Sequence, residues 1–71
     1  MIARVVVDVA ARQTDRPFDY RVPEEAEAWI EVGSRVAVPF GGRTVQGFVV
    51  GFAQEAEVEP GRLKPIGELL D

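Results

Sequence analysis

Twelve carboxylates carry most of the acid–base chemistry open to this chain of 71 residues. A converging pair of them could serve as general acid and base. Many cluster in two places, however: a helix start at Glu24 and Glu25, and an acidic loop at Glu55, Glu57 and Glu59. Both read as solvated surface. Histidine is absent, which removes the usual proton shuttle near neutral pH and the commonest metal ligand. Cysteine is absent too, so no disulfide can form and no thiolate can attack a substrate or hold a metal. The phosphate-cradling pattern GxxxxGK(S/T) does not occur, and Gly41, Gly42, Gly47 and Gly51 punctuate strands instead. Catalysis, a cofactor and a metal are therefore not expected.

The elements that position these residues are short strands. Residues Ile2 to Val9 alternate, with Ala3, Val5, Val7 and Val9 on one face and Ile2, Arg4, Val6 and Asp8 on the other. A polar loop follows and closes at Pro17. Phe18 to Val22 alternate next, with Phe18, Tyr20 and Val22 opposed to Asp19 and Arg21. Pro23, Glu24 and Glu25 predict a short helix reaching about Trp29 or Ile30, because proline suits a first helical position and early carboxylates suit the dipole. Arg35 to Phe40 and Thr44 to Ala53 read as two arms of a hairpin turned at Gly41-Gly42. Gly47 and Gly51 predict a bend or bulge in the second arm. Ile66 and Leu70 share a face of a last strand. The expected fold is mainly β: a small barrel-like or strongly curved antiparallel sheet with one short helix, α+β being the alternative.

The length allows one domain, over residues 1–71. No apolar run approaches the roughly 20 residues that span a bilayer. A cytoplasmic location is expected, without a membrane partner. The formal net charge is −4, which argues against a broad duplex-binding surface. A pocket for a single nucleotide is compatible with it.

Five segments, taken in order, resemble one family. They are Met1-Ile2-Ala3-Arg4-Val5, Arg16-Pro17-Phe18-Asp19-Tyr20 with Val22-Pro23-Glu24, Val32-Gly33-Ser34-Arg35-Val36-Ala37-Val38-Pro39-Phe40-Gly41, Gly47-Phe48-Val49-Val50, and Leu63-Lys64-Pro65-Ile66 with Leu69-Leu70-Asp71. Together they resemble the N-terminal 3′-DNA-end-binding domain of the primosomal replication-restart helicases, the PriA family. The pairing of PFDY with a downstream RVxVPFG and a later LKP carries the resemblance.

The resemblance implies a domain that recognises the 3′ end of the nascent leading strand at a stalled fork and helps position the helicase for primosome assembly. Its partners would be the DNA 3′ end and the helicase core and other domains of the same protein. The chain would be an excised N-terminal fragment without ATPase chemistry of its own. Carried over by motif, the terminal-nucleotide pocket would comprise Phe18, Asp19, Tyr20, Gly41 and Lys64. A carboxylate at Asp19 can accept a hydrogen bond from a 3′-hydroxyl or a base amino group and would repel a phosphate. Lys64 would balance it or meet the last phosphodiester. Phe18 or Tyr20 would offer a stacking wall, and Gly41 would let backbone come close. Ala37 and Gly42 depart from the family, standing where many relatives carry basic residues.

The residues also admit plainer readings. Phe18 and Tyr20 alternate as core residues do. Asp19 falls on the opposite face and could pair with Arg21 or Arg35. Gly41 suits a hairpin, Lys64 a solvated surface and Trp29 a lid on the core. An SH3-like small-barrel module for protein interaction remains the alternative function.

Overall fold

The computed structural model describes residues 1–8, 16–56 and 60–70. Among them are five strands: β1 (Ile2–Asp8), β2 (Phe18–Arg21), β3 (Arg35–Phe40), β4 (Arg43–Ala53) and β5 (Glu68–Leu70). They form one sheet in the order β2-β1-β4-β3-β5, and every neighbouring pair is antiparallel. The mainly β expectation holds.

Alternation decides which face is buried. Ala3, Val5 and Val7 of β1, Val36 and Val38 of β3, and Val49 of β4 pack with Tyr20, Val22, Ile30 and Ile66. Phe18, Ala26, Phe40 and Val45 pack against that cluster. Ile2 lies on the other face of β1 yet is buried as well. The core is built mostly from β-branched residues, as a pleated surface favours. Strands β2 and β3 are separated in the sheet by β1 and β4, yet both contribute to this one core. The sheet therefore folds over on itself.

Two glycines make that curvature workable. Arg4 pairs with Gly51 but Val5 pairs with Val49, so Val50 is an extra residue forming a bulge. At Gly47 a Cβ would stand 2.6 Å from Val5 Cγ1 and 2.9 Å from the Val6 carbonyl oxygen. No larger residue fits there unless β1 moves.

The two ends of the sheet meet without a continuous ladder. The Arg21 N–H donates to the Lys64 carbonyl at 2.9 Å, and the Ile66 N–H donates to the Arg21 carbonyl at 3.0 Å. These bonds make an isolated parallel bridge between Arg21 and Pro65. They tie the residues leading into β5 to the outer edge of β2.

Several expectations are corrected. The helix from Pro23 to about Ile30 is a single 3-10 turn over Glu24–Ala26, with Pro23 extended just before it. The segment then turns through residues 27–29. A longer helix would need enough residues to offset nucleation, and the chain must enter β3 soon after. Trp29 is not a lid: it is 75% exposed, while its neighbour Ile30 enters the core. Ile66 is buried but precedes β5, which begins at Glu68. The acidic run ends in a second 3-10 turn, Pro60–Arg62. Val9, most of the loop before Pro17, and Glu57 and Glu59 lie outside the described residues.

Candidate nucleic-acid interface

Strand β2 is an edge strand, and the hairpin of β3 and β4 curls toward it. The hairpin turns through Gly41 at φ 59° and Gly42 at φ 82°. Two successive positive φ values suit a two-residue type I′ turn, whose twist matches the flanking strands. A Cβ on Gly41 would meet nothing within 4 Å. The backbone conformation thus explains the glycine without any close neighbour.

Two contacts hold the hairpin to β2. The Tyr20 hydroxyl donates to the Pro39 carbonyl oxygen at 2.8 Å. The Phe18 and Phe40 rings meet edge to face, with centroids 5.1 Å apart and planes at 65°. Such aromatic pairs add about 0.5–1.5 kcal/mol beyond their buried area. Burial raises the Tyr20 pKa above its ordinary value, so the phenol remains a proton donor through the neutral range.

Between β2, the hairpin and the segment before β5 lies an open hollow of about 240 Å³. Phe18, Asp19, Tyr20, Pro39, Phe40, Gly41, Arg62 and Lys64 line it. All five residues singled out from the sequence meet there. The volume is below the about 300–1,000 Å³ of pockets that enclose a drug-sized ligand.

Alternation along β2 had set Asp19 apart from the aromatics. The hollow joins them because it sits on the strand's outer edge. Arg21 directs its N–H outward to the Lys64 carbonyl and its C=O outward to the Ile66 N–H. With a period of two, the same groups of Asp19 are directed to that side.

Asp19 is held by β1. It pairs directly across from Arg4 in the ladder, with Arg4 Nε 3.8 Å from Asp19 Oδ1. The expected partners Arg21 and Arg35 are replaced by this cross-strand neighbour. Only 7% of the Asp19 side chain is exposed, against 43% for Arg4. The long separation and the exposed guanidinium make this a weak pair, worth no more than ~1 kcal/mol.

Lys64 is exposed, and its position is fixed through its own carbonyl by the bond from Arg21. Arg62 was not anticipated. It stands at the end of the second 3-10 turn and adds a second exposed cation to the rim. Its spacing of two from Lys64 was the available signal. Among the described residues, no three potential metal ligands gather. No helix among them is long and apolar enough to cross a membrane.

A small curved sheet thus carries an open hollow lined by Phe18, Asp19, Tyr20, Gly41, Arg62 and Lys64. Residues 4–71 match the family model of the PriA 3′DNA-binding domain (3′BD), and the chain belongs to that family. It is thus a DNA-binding domain rather than a catalytic one. The chain is also 42% identical over 69 residues to the replication restart protein PriA of Bacillus subtilis (strain 168). That match covers 97% of this chain and 9% of the relative.

Proposed function

We propose that the domain holds the 3′-terminal nucleotide of a DNA strand in the hollow beside β2, and that it does so for replication restart. Convergence of Phe18, Asp19, Tyr20, Gly41 and Lys64 on one cavity supports this reading. The terminal base lies against the aromatic wall, where stacking tolerates any base. The Asp19 carboxylate accepts a hydrogen bond from the terminal 3′-hydroxyl. An internal linkage has no proton on that oxygen to give. Lys64 and Arg62 meet the last phosphodiesters.

Two unit charges 4 Å apart interact by about 1 kcal/mol in water, and the exposed Lys64 and Arg62 fall near that figure. Their attraction for phosphate is therefore modest.

In the full-length protein, the domain would place a helicase at the nascent leading-strand end for primosome assembly in the cytoplasm. The domain would form one unit over residues 1–71, joined to a helicase core. The net charge of −4 fits a grip on one terminus better than a surface that tracks many phosphates.

The direct test compares binding of a single-stranded oligonucleotide with a free 3′-hydroxyl to the wild-type domain and to Asp19→Ala. The variant is expected to keep its circular dichroism, to lose several degrees of thermal midpoint with the Arg4 pair, and to bind at least about tenfold more weakly at a temperature where it stays folded. Unchanged affinity in a folded variant would refute the role of Asp19.

A further inference from the structure

A second surface, sharing no lining residue with the nucleotide hollow, centres on Trp29. The side chain stands 75% exposed, yet its backbone is fixed. The N–H groups of Trp29 and Ile30 both donate to the Ala26 carbonyl at 3.0 Å. Ile30 is anchored in the core one residue later. Ser34 then closes the next turn, its N–H donating to the Glu31 carbonyl and its hydroxyl accepting from the Glu31 N–H, each at 2.9 Å. The indole is presented by an ordered turn rather than by a loose end.

Two hollows flank it, of about 210 and 430 Å³. Trp29 and Leu69 line both. Val32 and Phe48 extend the apolar lining of the larger one, and all four of these side chains are exposed to some degree. Contiguous apolar surface of this kind marks an interaction site, and tryptophan is the residue most enriched among interface anchors.

The charge around it is one-sided. Glu25 and Glu68 line the smaller hollow, and Glu31 lines the larger. Glu24 and Glu27 are exposed on the same turn as Trp29. Arg35, in the larger hollow, is the one cation in either lining. Nucleic acid would be repelled here. A second copy of the domain would bring the same carboxylates face to face.

We infer that the Trp29 surface docks a cationic amphipathic segment of a partner protein, with an apolar side chain seated beside the indole and Lys or Arg groups facing Glu25, Glu31 and Glu68. Electrostatic complementarity of this sort sets partner choice and register, while the indole and its flanking hollows supply the buried contact. The domain would then hold a DNA end on one surface and a basic protein element on another.

Trp29 is the sole tryptophan, so its fluorescence reports on this surface alone. The probe is a synthetic amphipathic peptide of leucine and lysine. A leucine–glutamate peptide of the same pattern and a lysine–serine peptide of the same charge are the controls. The leucine–lysine peptide is expected to give a saturable blue shift, and each control is expected to bind at least about tenfold more weakly, a difference of ~1.4 kcal/mol. Glu31→Lys should weaken the leucine–lysine complex to a similar degree. With a labelled peptide read by anisotropy, Trp29→Ala should abolish it while leaving oligonucleotide binding intact. Equal binding of either control, indifference to Glu31→Lys or Trp29→Ala, or no blue shift would overturn the inference. So would a blue shift driven by protein concentration alone, which would mean that a second copy covers the surface.

Discussion

The Tyr20 hydroxyl donates to the Pro39 carbonyl oxygen at 2.8 Å, joining residues 19 apart in the chain. Strands β2 and β3 share no ladder. This bond and the edge-to-face contact of Phe18 with Phe40 fasten the two walls of the hollow. Tyr20→Phe is expected to lose about 1 kcal/mol of stability, the usual net worth of such a bond. It should also weaken oligonucleotide binding without abolishing it. Denaturant titration and an oligonucleotide titration check the two effects separately.

Tyr20 also sets an alkaline limit. Burial raises its pKa, so the folded state disfavours the phenolate relative to the unfolded chain. The phenol's contribution is therefore complete below the unfolded value of about 10. It is lost as pH rises through the higher folded value. Tyr20 is the only tyrosine, so phenolate absorbance follows it alone. The midpoint should lie above that of a free tyrosine, and stability should fall across the same interval. Tyr20→Phe should remove that part of the pH dependence.

The hairpin glycine makes a sharper structural prediction. Gly41→Ala places a side chain at φ 59°, which costs about 1–2 kcal/mol for an L-residue. The new methyl meets nothing within 4 Å of the protein. A drop in melting temperature is expected from strain alone. If a nucleotide approaches this turn, the loss in DNA affinity should exceed the loss in stability.

The exposed cations should reveal how many phosphates are held. Lys64→Ala and Arg62→Ala are each expected to reduce the dependence of log affinity on log salt by about one phosphate contact. Stability should change little, because both side chains are exposed. A wild-type slope corresponding to many phosphates would indicate a broad tracking surface and contradict a terminal grip.

The hairpin and its turn were legible because local signals agreed: valines at alternate positions in β3, and paired glycines where positive φ was required. The short helix was not. Pro23, Glu24 and Glu25 carry the signature of a first turn, which cannot say whether a second will follow. Size and hydrophobicity suggest burial for Trp29, whereas the turn gives the inward position to Ile30. The meeting of Asp19 with the aromatics was hidden for a different reason. Alternation describes the two faces of a strand, whereas the hollow lies along an outer edge, where a folded-over sheet brings a distant hairpin close. Arg62 depended on the same long-range closure.

Terminal-hydroxyl recognition is tested most directly by one competition. Two oligonucleotides of the same sequence, one ending in a 3′-hydroxyl and the other in a 3′-phosphate, are titrated against the wild-type domain at moderate salt. The hydroxyl-ended strand should bind at least about tenfold more tightly, a difference of ~1.4 kcal/mol. Equal affinity, or preference for the phosphate, would contradict it.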